Sequence, residues 1–241
     1  MKYAVFSDMH GNLEAYQSVL DAMKKEGPSK YFCVGDIVSY GADPSACIDM
    51  TKDLNPAIVC GNHDRAAAGL TPLEYFTDYA RAAVLWTRGV LMEEDREYLG
   101  SLKLAYIDKD LTMVHGTLSQ PALFEYVFDF DTAYRMLARA ETPVSFIGHS
   151  HSPGIFMLDD GKLDFTKGPK IRIEKDKKYL VNAGSVGQPR DGDWRAAFCI
   201  WDRDTAAIEI KRVEYDIKTA QKKILAAGLP KILAERLSEG R

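Results

Sequence analysis

Largely apolar runs recur at Tyr3–Phe6, Tyr31–Val34, Ala57–Cys60, Leu111–Val114 and Val144–Ile147, and each stops at a glycine or a polar turn. Runs this short, bounded by turn residues, predict buried strands. Between them the period changes. Asn12–Lys25 places Leu13, Tyr16, Leu20 and Met23 at helical spacing, with Asn12 as the cap. Pro72–Leu102 predicts two helices divided near Gly89, with Tyr75, Tyr79, Ala82, Ala83 and Trp86 along one face. That pair would serve as a cap over neighbouring strand ends or as a plain packing layer. Asp131–Ala140 predicts a short helix before the Val144 run. Strands alternating with helices define the α/β class. The second half differs: β-like segments in pairs around Asp159–Gly161, Asp191–Asp193 and Asp202–Asp204 predict hairpins, and helical pieces flank Gly228 and Pro230.

Composition narrows the function classes. A chain of 241 residues with 46% hydrophobic content has material for one domain over residues 1–241. A net charge of −4 argues against a general nucleic-acid or membrane binder, while leaving room for a nucleotide-sized substrate at a local positive site. No apolar stretch is long enough for export or spanning. Cys33, Cys47, Cys60 and Cys199 lack CxxC spacing, and all but Cys47 lie in apolar runs, so these read as buried reduced thiols and the expected location is cytoplasmic. The basic stretch Lys167–Lys178 reads as a solvated hairpin face. Phe124, Tyr126, Phe128 and Phe130 alternate; core packing is the favoured reading, and a surface that stacks a base or aromatic leaving group is the other.

The chemistry sits just past the strands. Every histidine falls in a short polar motif after an apolar run: Ser7–His10, Gly61–Asp64, His115–Gly116 and Gly148–His151. Gly35–Asp36 has the same layout without histidine. Open α/β sheets place their sites at such strand ends. Asp8, His10, Asp36, Asn62, His115, His149 and His151 make a mixed nitrogen and oxygen donor set too large for one ion. Two divalent ions sharing a ligand fit it, and a carboxylate can bridge them. With no thiolate in the motifs, Mn, Fe, Zn, Co or Ni in a catalytic role suits the set better than structural zinc.

Asp-x-His, Gly-Asp, Gly-Asn-His-Asp, His and Gly-His-x-His, in this order, resemble the calcineurin-like metallophosphoesterase superfamily. Asn182–Arg190 resembles a segment of its small bacterial and archaeal phosphodiesterase branch. The resemblance implies a four-layer αββα sandwich of two mixed sheets with flanking helices. It implies that Asp8, His10 and His151 hold one metal, that Asn62, His115 and His149 hold the other, and that Asp36 bridges them. It further implies in-line attack on phosphorus by a metal-bridging hydroxide, with His63 as general acid, Asp64 orienting His63, and Arg190 and Arg65 meeting phosphate oxygens.

A small phosphate ester, with nucleotides among the candidates, is the expected substrate; phosphodiester cleavage is favoured over monoester or dinucleoside polyphosphate hydrolysis. Protein phosphatases and symmetrical dinucleoside-tetraphosphate hydrolases carry Asp-Arg-Gly where this chain has Ser39-Tyr40-Gly41, so their phosphate-gripping arginine is missing. The long insertion of periplasmic nucleotidases is absent too. A metal-binding interaction scaffold of this fold would tolerate losing the general-acid histidine, yet His63 and every ligand are kept. A homo-oligomer, through the second-half hairpins or terminal helices, stays open.

Overall fold

The computed structural model describes residues 1–241. Two six-stranded sheets lie face to face. In the first, β1 (Lys2–Phe6) pairs in parallel with β2 (Lys30–Cys33), which pairs in parallel with β3 (Ala57–Ile58). On the other side of β1 run antiparallel β11 (Ala196–Asp202), β12 (Ala207–Val213) and β9 (Lys170–Arg172). The second sheet has the order β4 (Ala105–Ile107), β5 (Leu111–Val114), β6 (Val144–Ile147), β10 (Lys178–Asn182), β7 (Gly154–Asp159) and β8 (Lys162–Thr166). Its central β5, β6 and β10 are parallel and its outer pairs antiparallel, so both sheets are mixed.

The apolar runs are explained by burial on both faces. Along β1, Tyr3 and Val5 join Phe32, Met113, Phe146 and Val181 between the sheets. Ala4 and Phe6 point the other way, into a cluster with Tyr16, Val19 and Ile48. That outer cluster draws on α1 (Leu13–Glu26), α2 (Pro44–Leu54), α3 (Asn62–Ala67), α4 (Asp78–Val90), α5 (Glu93–Ser101), α7 (Ile217–Ala226) and α8 (Lys231–Glu239). On the far side α6 (Phe130–Arg139) packs Ala133, Met136 and Leu137 against Val114, Ile147 and Leu180. The result is the four-layer αββα sandwich that the resemblance implied.

Several local expectations hold, and others shift. Asn12 caps α1, its side chain accepting the Ala15 N–H at 3.2 Å. The break between α4 and α5 falls at Leu91–Met92, two residues beyond Gly89. Residues 72–77 precede the helix, so Tyr75 is 94% exposed, and the buried face is Ala80, Ala83, Val84 and Thr87. Ala82 lies on the exposed side. The pair is a packing layer whose leading edge, at Phe76, touches the site. Hairpins form at Asp159–Gly161 and Asp202–Asp204. Asp191–Asp193 does not make one, because β10 and β11 belong to different sheets and the chain crosses between them. Lys167–Lys178 is likewise no hairpin: it carries β9, an edge strand whose exposed Lys170 and Arg172 discourage further pairing. No helix is long and apolar enough to cross a membrane.

Candidate metal centre

The turns after β1, β2, β5 and β6 converge at one edge of the sandwich. Asp8 N–H donates to Gly35 C=O at 2.9 Å, His10 N–H to Asp36 C=O at 3.0 Å, and Gly148 N–H to His115 C=O at 3.1 Å. Asp8, His10, Asp36, His149 and His151 all take left-handed backbone, with φ of 57°, 49°, 56°, 67° and 57°. Each such residue costs on the order of 1–3 kcal/mol and persists only where its surroundings over-determine it.

Much of that constraint comes from the crossing after β10. Ser185 Oγ and Gly187 N–H both donate to Asp8 C=O, each at 2.9 Å. Asn182 Nδ2 donates to Gly148 C=O at 2.8 Å. A Cβ on Gly187 would stand 1.8 Å from Met9 O, so this close approach requires glycine. The segment read as a branch signature is therefore a clamp over the first and last site loops. Ser185, Asn182 and Gln188 were not legible as site residues, because their contacts run through backbone atoms.

The imidazoles are aimed by main-chain carbonyls. His10 Nδ1 lies 3.0 Å from Val38 O, His115 Nδ1 2.7 Å from Val34 O, and His151 Nδ1 2.6 Å from Gln188 O. A carbonyl only accepts, so each Nδ1 carries a proton and each ring turns its Nε2 inward, where that atom can meet a cation once it is unprotonated. His10 Nε2 and His151 Nε2 then face each other at 3.1 Å. Asp8, His10, Asp36 and His151 form one group able to hold a cation; Asp36, His115 and His149 form a second. Asp36 is common to both, with Oδ2 at 3.5 Å from His10 Nε2 and 3.2 Å from His115 Nε2.

Unused polar atoms mark the same place. Asp36 Oδ2, His115 Nε2 and Asn62 Oδ1 are buried without a hydrogen-bond partner. Buried donors and acceptors are almost always paired, so such a cluster calls for a ligand. Charge agrees. Asp8 and Asp36 are wholly buried and have no lysine or arginine partner. Burial pushes the Asp8 carboxyl up to about 7, and it drives His10, His149 and His151 well below the usual imidazole range. Burial also opposes the charge on His115, but Asp36 and Asp8 outweigh it and raise that ring to about 9. Two carboxylates buried together with only imidazoles around them are costly, and divalent cations offset that cost. The residues present thus fit a pair of metal ions sharing Asp36.

His63 stands beside the donors without joining either group. It is 5% exposed, edge-on to the His10 ring at 4.9 Å and the Phe76 ring at 5.1 Å, and against Tyr40 at 4.6 Å. Its Nδ1 has no partner, and burial pushes the imidazole down to about 4. Asp64, expected to orient that ring, does something else. Its oxygens accept the N–H groups of Asp36 and Ile37 at 2.8 Å, Gly61 at 3.1 Å and Val38 at 3.3 Å. Asp64 therefore fixes the loop carrying Asp36 and the start of α3, because those buried N–H groups have no other acceptor. Losing it would leave donors orphaned at roughly 1–3 kcal/mol each.

Arg190 reaches the site: its guanidinium lies over the Tyr40 ring at 5.6 Å and donates to Gln188 Oε1 at 2.8 Å. The neighbouring acids do not hold it, since Asp191 pairs with Arg212 and Asp193 with Arg195. Arg65 is not brought in; it is half-buried on α3, and the buried group that feels its charge is Cys60. The aromatic run divides. Phe124 is buried against His115 with ring centroids 6.0 Å apart, whereas Tyr126 stacks on His149 at 3.8 Å and exposed Phe128 stacks on Tyr126 at 4.8 Å.

Two sheets deliver buried Asp and His donors to a shared edge, the architecture of a metal-site protein. Residues 1–206 match the calcineurin-like phosphoesterase superfamily domain, and the chain belongs to that family. It is 44% identical to an uncharacterised protein of Methanocaldococcus jannaschii over 99% of this chain and 98% of that one. Among solved structures it resembles a metallophosphoesterase from Sphaerobacter thermophilus, at 35% identity and TM-score 0.88, covering 100% of this chain and 99% of the other. A hypothetical protein from Pyrococcus horikoshii shares the fold at 22% identity and TM-score 0.82, covering 100% and 98% of the two chains.

Proposed function

We propose that this metallophosphoesterase is a dinuclear phosphodiesterase. The observation that carries the reading is the pair of donor groups joined at Asp36, with three buried unpartnered donor atoms among them and Asn62. Asp8, His10 and His151 would hold one ion, Asn62, His115 and His149 the other, and Asp36 both; manganese suits the donors, as do iron, zinc, cobalt and nickel. Bound there, two divalent cations supply Lewis acidity and acidify water for attack at phosphorus.

The protein's own groups do the rest. Arg190 offers a guanidinium fork to a phosphate oxygen. His63, buried beside the donors with Nδ1 uncommitted, supplies the proton to the leaving oxygen. An anionic phosphate docking next to it raises the proton affinity of that imidazole. Tyr40 and Phe76 wall the ring from water. The Tyr126–Phe128 stack leading outward from His149 favours a substrate with a planar aromatic group, as in a nucleotide ester. A cytoplasmic location belongs to this reading, in keeping with four buried, unpaired thiols.

The test is hydrolysis of bis-p-nitrophenyl phosphate and p-nitrophenyl phosphate by manganese-loaded protein. The reading expects the diester to be cleaved with the higher kcat/KM. A clear preference for the monoester would replace it with a phosphomonoesterase.

A further inference from the structure

Four imidazoles belong to the two donor groups, and three of them are aimed through Nδ1 by a main-chain carbonyl. The fourth is not. The His149 ring makes no hydrogen bond, and only its main-chain N–H is engaged, with Asp8. The torsion that turns an imidazole about its Cβ–Cγ bond is broad, and in metal sites a hydrogen bond to the far ring nitrogen commonly fixes it. At His149 the contact is a ring instead. Tyr126 lies 3.8 Å away and nearly parallel at 15°, and Phe128 lies 4.8 Å from Tyr126 at 11°.

The segment after β5 is built to deliver that ring. It starts at His115, a donor of the same group as His149. A Cβ on Gly116 would stand 2.6 Å from Glu125 O, so the chain returns against its own start and only glycine admits the approach. Thr117 Oγ1 donates to Glu125 Oε2 at 3.2 Å and ties the two ends. Phe124, in left-handed backbone with φ of 50°, sets its ring 6.0 Å from that of His115, and Tyr126, two residues on, covers His149. One closed loop thus braces both imidazoles of the group made with Asp36. A stack fixes the plane of a ring without engaging its nitrogens, so it orients His149 and leaves its lone pair for an ion. The other group has no such need, since the Val38 and Gln188 carbonyls hold both of its imidazoles.

We propose that Tyr126 is a positioning residue that acts through His149: its stack fixes the ring plane and sets how tightly the ion at Asn62, His115 and His149 is kept. This rests on the dinuclear reading, and metal binding rather than turnover tests it. Manganese-loaded parent and variants would be dialysed against buffers of falling free manganese, and the manganese per chain counted. The parent should release its two ions at low free manganese. Tyr126→Leu should release one of them at about tenfold higher free manganese and the other as the parent does. Tyr126→Phe, which keeps the stack, should follow the parent. In a His149→Ala background, Tyr126→Leu should cause no further loss, because the ring it acts through is gone. Tyr126 is 43% exposed, so its truncation leaves the core in place, and Tyr126→Thr serves if the leucine variant fails to fold. With two ions in the parent, three results overturn the positioning role: neither ion weakened by the loss of Tyr126, both weakened alike, or an equal further loss without His149. A parent that holds a single ion overturns the dinuclear reading, and the positioning role with it.

Discussion

Asp36→Asn protein should lose bound metal and slow diester hydrolysis together, turnover falling by at least about a hundredfold. Asp36 belongs to both donor groups, so its replacement weakens both ions rather than one. Asparagine keeps the shape but removes the negative charge and one oxygen acceptor, and a neutral amide bridges two cations poorly. The fold should survive. Asp36 Oδ1 accepts only the His63 N–H, at 2.8 Å, and an amide oxygen can do the same. Metal analysis of the purified variant beside its activity checks this; normal metal content with near-normal turnover would remove the bridging role.

His63→Ala should behave in the opposite manner: full metal content, with turnover on alkyl phosphodiesters reduced by about a hundredfold to a thousandfold. The ring contacts His10 edge-on and lies outside both donor groups, so the metals should not feel its loss directly. A p-nitrophenolate leaving group departs without a proton, and its ester should lose much less. An equal loss on both kinds of ester would leave His63 a packing role between Tyr40 and Phe76 and no part in proton transfer.

What the sequence made legible follows from what repeats locally. The strands β1, β2, β5 and β6 were readable because burial on both faces leaves an apolar run, and the polar motif after each run put the ligands at strand ends. Asn12 was readable as a cap because capping is a contact across three residues. The helix α2 follows Asp43–Pro44, a usable start signal, yet falls in a stretch whose apolar spacing is weak. The helix α3 starts within Gly61–Asp64, which reads equally well as a turn; its six residues leave too little periodicity to separate the two. The crossing at Asp191–Asp193 carries hairpin residues, but sheet membership is set by distant strands, so turn chemistry pointed to the wrong partner.

The site shows the same division. Side chains that carry chemistry announced themselves by type and order. The contacts that aim them did not: Val34, Val38 and Gln188 act through carbonyls, which every residue has. Asp64 was recognisable as a site residue, but only its four backbone contacts showed that it holds the Asp36 loop. Tyr126 was legible only through the less favoured reading of its aromatic run, since nothing local places a residue after β5 beside His149.

Whether one carboxylate, Asp36, joins two ions can be seen in a crystal of manganese-loaded protein measured on both sides of the manganese absorption edge. Two anomalous peaks are expected, one among Asp8, His10 and His151 and the other among Asn62, His115 and His149, with Asp36 between them. A single peak at full occupancy, or peaks away from Asp36, would contradict the dinuclear centre.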